Sequence, residues 1–256
     1  MDVLANKVAI VTGASSGIGH ATAMLFAQEG ANIVVTARRQ AQLDALVAQI
    51  EAAGGRAIAL AGDVRDEATA QRAVEIAVDR FGGLDIAFNN AGAVGAIRPV
   101  HELSLSEWRD ALDTNLTSAF LGAKYQVPAM LARGGGSLIF TGTFVGYSVG
   151  MPGMTAYAAS KAGLIGLVQV LAAEYGPKGI RANAILPGGT DTPASITNAA
   201  DATPEVLAFV EGLHALKRLA RPEEIARSVL HLASDASSFI TGTAMLIDGG
   251  VSITRT

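Results

Sequence analysis

Short runs of β-branched and apolar residues recur along this chain, separated by stretches with helical spacing. That alternation constrains the fold more than any other feature. KVAIVT (residues 7–12) and NIVVTA (32–37) are nearly continuous apolar runs, as strands buried on both faces require. Residues 56–60, 84–88, 137–141, 180–186 and 244–247 have the same character. The intervening helical patterns end at Gly30, at Gly54–Gly55 and near Phe81, where glycine or a loop can stop them. A longer pattern runs from Ser104 to about Leu131 and opens with Ser104 and Glu107 at capping-box spacing. Further helices are expected over 157–175 and 222–233. Strand–helix alternation of this kind predicts an α/β fold: one domain over 1–256, with a parallel sheet, helices on both faces and right-handed crossovers. The longest irregular stretch, about 188–219, holds a short helix after Pro204 and is expected to act as a substrate-binding loop or lid.

Several function classes are disfavoured by composition. Net charge is -4 with no basic block, so nucleic acid is not an expected partner. The chain has no cysteine, which removes disulfides and thiolate chemistry, and its four histidines lack metal-ligand spacing. No basic segment followed by a long apolar run opens the chain, and no later segment reads as a membrane span. The expectation is a cytoplasmic protein without a metal and without membrane contact.

The first strand leads into TGASSGIG (residues 12–19). Glycines at 13, 17 and 19 allow a tight turn and close approach of a ligand, and the following helix offers free N–H groups to a pyrophosphate. The spacing is GxxxGxG rather than GxGxxG. With NNAG at 89–92, YAASK at 157–161, PG at 187–188 and the ending TGTAMLIDGG, the chain resembles the short-chain dehydrogenase/reductase family along nearly its whole length, in its 3-oxoacyl-reductase-like form. The resemblance implies a Rossmann-type domain with a seven-stranded parallel sheet, carbonyl–alcohol interconversion with a nicotinamide cofactor, and a homotetramer.

Cofactor choice has its own signal. Where an acid at the end of the second strand would hold the ribose diol of NAD, this chain has Ala37, followed by Arg38 and Arg39. A guanidinium can grip a 2′-phosphate through paired hydrogen bonds, so NADP(H) is expected over NAD(H). Gly13, Ser15, Ser16, Gly17, Ile18 and Gly19 form the expected phosphate turn. By resemblance, Asp63 should bond the adenine amino group beside Val64, and Asn89, Ala91 and Gly92 should line the cofactor and steady the sheet. Pro187, Gly188, Thr190 and Thr192 should lie near the nicotinamide.

Tyr157 and Lys161 are four residues apart and share one helix face. Lowering a phenol from about 10 to near neutrality takes about 4 kcal/mol. An ammonium at about 4 Å supplies that much at an effective dielectric near 20. The pair therefore reads as a general acid and its electrostatic helper, and the resemblance adds that Lys161 contacts the nicotinamide ribose. By the same resemblance, Asn115 helps hold a water linking the lysine to solvent. The family's catalytic serine usually lies thirteen residues before the tyrosine, where this chain has Phe144, which cannot hydrogen-bond. A loop longer by one residue would put Thr143 there; Thr141 and Ser148 remain alternatives. Phe144, Tyr147, Val149 and Met151 suggest a partly apolar pocket. His214 reads as surface packing or a border of the substrate site. The expected function is an oxidoreductase acting on a small carbonyl or alcohol. The rival, a catalytically impaired NADP(H)-binding sensor or scaffold, rests on Phe144.

Overall fold

Seven parallel strands form one sheet in the order β3-β2-β1-β4-β5-β6-β7 in the computed structural model, which describes residues 2–200 and 202–254. The strands are β1 (Val8–Thr12), β2 (Asn32–Ala37), β3 (Arg56–Ala61), β4 (Ile86–Asn89), β5 (Gly136–Thr141), β6 (Ile180–Pro187) and β7 (Ala244–Ile247). From β1 the chain winds outward through β2 and β3, then returns so that β4 pairs with the other side of β1. The order reverses between β1 and β4, and a crevice opens there beyond the carboxyl ends of the strands.

The continuous apolar runs are explained by burial on both sides. One face of the sheet carries α1 (Gly17–Gln28), α2 (Gln40–Ala52) and α8 (Pro222–Ala233), whose Phe26, Leu46 and Val229 pack on Val11 and Ile33. The other face carries α3 (Glu67–Phe81), α5 (Ser118–Arg133) and α6 (Thr155–Tyr175), which bring Ile76, Met130 and Leu164 against Ile10 and Phe140. The two remaining helices are α4 (Leu105–Leu112) and α7 (Pro204–Leu213). The reciprocal capping box at Ser104 and Glu107 is present at the start of α4.

The structure corrects two expectations. The pattern over 104–131 is not one α-helix: a π-helical turn, Asp113–Thr117, separates α4 from α5. Its sequence, DTNLT, consists mostly of weak helix formers, and such turns widen a helix by one residue. One segment, Thr155–Lys178, is also long and apolar enough by composition to cross a membrane. It packs on the sheet through Leu164, Val168 and Leu171 and carries Tyr157 and Lys161, so its apolarity serves the core.

Candidate active site

At the carboxyl end of β1 the backbone turns sharply through Gly13 (φ +67°) and Gly17 (φ +57°), a conformation that side chains disfavour. A Cβ at Gly13 would meet the Ala91 Cα at 3.0 Å, and one at Gly19 would sit 2.4 Å from the Gly13 carbonyl oxygen. Ser16 precedes α1 without capping it through its side chain, so the first N–H groups of the helix face the crevice uncapped by that hydroxyl. Gly17 lies directly under Thr192, whose Cγ2 would be 2.9 Å from an added Cβ. The turn, the helix end and the Pro187–Thr192 loop therefore form one continuous wall, whose close-packed glycines and helix N–H groups suit an anionic group.

That wall belongs to a cavity of about 510 Å³, which Ser16, Ile18, Ala91, Gly92, Pro187, Gly188, Thr190 and Thr192 line along with Thr143, Tyr157 and Lys161. Arg38 and Arg39 stand exposed beyond the end of β2, and Arg39 donates to Ser15 Oγ at 3.1 Å. Asp63 is held by Arg65, whose Nη2 lies 2.7 Å from its carboxylate, and this pairing keeps the Asp63 carboxyl below its usual range. Val64 faces a separate small cavity of about 30 Å³ rather than the main cleft.

Asn89 keeps the sheet-steadying part of its expected role. It does not line the main cleft: its amide exchanges two hydrogen bonds with the buried Gln126 amide, at 2.8 and 2.9 Å. Its position steadies the sheet against α5. The next residue, Asn90, faces the cleft instead, donating to the Thr12 carbonyl at 3.1 Å and accepting from the Thr141 hydroxyl at 3.1 Å. Asn90 stands within the NNAG motif and was legible there; Gln126 carries no sequence signal beyond being a polar residue in an apolar helix.

Because Thr141 spends its hydroxyl on Asn90, it is tied to β4. The Thr143 hydroxyl is buried in the same cleft wall as the Tyr157 phenol and pulls the phenol's pKa down, toward the phenolate. Thr143 Oγ1 also accepts from the Val145 N–H at 3.3 Å, which fixes its rotamer. Ser148 turns away toward the Phe144 carbonyl and Ser252. Phe144 is buried in a small cluster with Val145 and Val251, packed against Met154 and Leu213. The phenylalanine is thus a wall residue beside an intact hydroxyl, and the impaired-scaffold reading loses its basis.

Lys161 is buried, and its Nζ donates to the Thr141 carbonyl at 2.7 Å. Burial pulls its pKa down to about 8. Burial also pushes the Tyr157 phenol up, with the Thr143 contact opposing. The expected depression of Tyr157 by Lys161 is therefore not what the protein alone produces. Loss of solvent around the phenol outweighs its neighbours, and the lysine ammonium is turned toward a backbone carbonyl. Asn115, in the π turn, donates to the Ala93 carbonyl at 2.9 Å and to Ser160 Oγ at 3.0 Å, while its Oδ1 accepts from the Ala93 N–H at 2.9 Å. A Cβ at Gly92 would lie 2.8 Å from that Oδ1 and 2.9 Å from Lys161 Nζ, so Gly92, Asn115 and Lys161 are packed as one unit.

His214 is not a surface residue. It is buried at the end of α7: Nδ1–H donates to the Val210 carbonyl at 2.8 Å, and Nε2 accepts from the Gly189 N–H at 2.9 Å. The ring bolts α7 to the Pro187–Thr192 loop. Sequence offered no sign of this, because both partners are backbone groups.

The chain matches a short-chain dehydrogenase family model, described as enoyl-(acyl carrier protein) reductase, over residues 13–252. It is 41% identical over 248 residues to a cyclohexanol dehydrogenase of Acinetobacter sp. (strain SE19), covering 95% of this chain and 94% of that one. It is 39% identical over 251 residues to an A-factor type gamma-butyrolactone 1′-reductase of Streptomyces virginiae, covering 98% and 97%. The crystal structure of carveol dehydrogenase from Mycobacterium avium, in complex with NAD, superposes with a TM-score of 0.92 at 31% identity, covering 98% of this chain and 99% of that one.

Proposed function

Because this chain belongs to the short-chain dehydrogenase/reductase family, oxidoreductases that act on alcohols and ketones, we propose that it interconverts a secondary alcohol and its ketone with NADP(H). The observation that carries this reading is that Thr143, Tyr157 and buried Lys161 line one cavity together with Gly92, and that the Thr143 hydroxyl pulls the phenol's pKa down. When bound, the reduced nicotinamide supplies the hydride. Thr143 and Tyr157 hold the carbonyl oxygen by donated hydrogen bonds, which fixes the carbon for attack. Tyr157 Oη gives up its proton as charge develops on that oxygen, and in the oxidative direction it takes the proton back. Lys161, one turn along the same helix and held by the Thr141 carbonyl, is the cation that would offset the charge left on the phenolate. Asn115 holds the Ala93 backbone and Ser160, keeping the helix that carries Tyr157 and Lys161 in register with β4.

The choice of NADP(H) rests on Arg38 and Arg39 following Ala37 at the end of β2, with no carboxylate there to repel a 2′-phosphate. The carveol dehydrogenase likeness, solved with NAD, makes this the point to test. Loss of reduced-nicotinamide absorbance, followed with NADPH and with NADH on a panel of cyclic and open-chain ketones, tests both parts. Arg38→Asp is expected to lower kcat/KM for NADPH on the order of 100-fold and to spare NADH. Equal loss with both cofactors, or none, refutes the assignment. Absence of turnover with every ketone refutes the enzyme reading.

A further inference from the structure

The reading above leaves open which alcohols and ketones enter, and the charge pattern of the cleft answers in terms of class. We propose that the substrate is a neutral, apolar alcohol–ketone pair of about one ring in size, and that the cleft excludes anions. This rests on the catalytic reading given above.

Beyond Tyr157 the cavity wall is Val94, Phe144, Met151, Met154 and Leu213, with Ile97, Ile196 and Phe209 at the mouth. The three mouth residues are 53%, 42% and 65% exposed, an apolar rim on a solvent-facing opening. Among the described lining residues there is no arginine, aspartate or glutamate, and Lys161 is the one formal cation. Lys161 stands at the innermost end, its Nζ committed to the Thr141 carbonyl. His214, also in the wall, has both ring nitrogens bonded to backbone. A substrate carboxylate placed away from the reacting carbon would lose its water and gain no partner.

The approach to the cleft has the same bias. Asp191, Glu205 and Glu211 carry negative charge there, and the cation that follows α7, Lys217, is bonded through Nζ to the Gly212 carbonyl. Near the rim the Arg98 guanidinium is paired with Glu107 at 3.0 Å. A coenzyme A thioester, with its phosphates, would bring negative charge against this edge. The exposed cations Arg38 and Arg39 stand outside this pocket's lining, beyond β2. Size points the same way. A void of roughly 150 Å³ holds a benzene ring, so two rings take about 300 Å³ of the cavity of about 510 Å³, and the remainder includes the end lined by Gly13, Ser16, Gly17 and Ile18, where the cofactor's ribose and pyrophosphate would lie.

The decisive comparison uses two ligands that share one ring and differ by a methyl group and a negative charge: methyl 4-oxocyclohexanecarboxylate and 4-oxocyclohexanecarboxylate. With the cofactor-loaded enzyme at neutral pH, kcat/KM for the ester is expected to exceed that for the acid on the order of 100-fold. Phe209→Arg places a cation on the exposed rim and is expected to narrow that ratio about tenfold or more by improving the acid. Equal kcat/KM for ester and acid overturns the inference, as does a ratio that Phe209→Arg leaves unchanged. Calorimetric titration of both ligands into the cofactor-loaded protein separates this inference from the catalytic reading. Preferential binding of the ester without turnover of either ketone refutes catalysis and sustains the pocket inference; equal binding refutes the pocket inference.

Discussion

Lys161→Met provides a test that needs no substrate. In the folded protein burial holds the Lys161 pKa at about 8, against 10.5 for the free side chain. Below pH 8 both folded and unfolded chains carry the proton, and the folded state bears the full cost of a desolvated ammonium. That cost is about 3 kcal/mol, from the gap between the two pKa values. Between 8 and 10.5 the unfolded chain binds the proton and the folded one releases it, so wild-type stability rises with pH across this window relative to a variant that cannot titrate. From pH 7 to pH 10 the gain is on the order of 2 to 3 kcal/mol. Methionine fills similar volume and removes the charge. It also strands the Thr141 carbonyl, a penalty that does not vary with pH and cancels from the slope. Urea unfolding of both proteins at one concentration, over pH 6 to 10, gives the difference curve. A flat difference curve refutes the claim that Lys161 is desolvated in the folded state. Lys161→Met is expected to be inactive throughout.

The remaining predictions concern the hydroxyl and α7. Thr143→Ala is expected to lose about 100-fold or more in kcat while still binding cofactor, and Thr143→Ser to keep most of it. Full activity in Thr143→Ala moves the role to another hydroxyl. His214→Phe leaves the Gly189 N–H and the Val210 carbonyl without partners, so a stability loss of about 2 kcal/mol and a raised KM are expected. His214→Gln, which can donate and accept, is expected to restore much of the KM; if both variants behave alike, the ring only fills space.

The strands could be read because burial on both faces leaves continuous apolar runs, and the glycine turn because its positive φ values admit little else. Helix pattern did not reveal the π turn at Asp113–Thr117, since hydrophobic spacing continues through it; only the cluster of weak helix formers marked the place. Counting back from Tyr157 could not decide between Thr141 and Thr143, because loop length is not a periodic property. The distinguishing fact is that Asn90, on a different strand end, takes the Thr141 hydroxyl. The direction of the Tyr157 pKa was misjudged for a related reason. A charge four residues away is visible in sequence, whereas the removal of water around a phenol is the work of the whole cleft. His214 and Gln126 stayed hidden because their partners are a backbone N–H, a carbonyl and one distant amide.

Arg38 and Arg39 stand exposed at one end of the crevice, while the wall around Phe144 holds no compensating charge at the other. Ionic strength therefore acts on the two ends in opposite senses. Mobile ions screen an exposed guanidinium from a phosphate beyond about 8 to 10 Å at ordinary salt, and over shorter distances as salt rises, yet they do not weaken apolar burial, and excluded salts such as sulfate strengthen it. Rising sulfate should loosen the cofactor and tighten the ketone in the same protein, so the order in which the two associate becomes a property of the medium as well as of the fold.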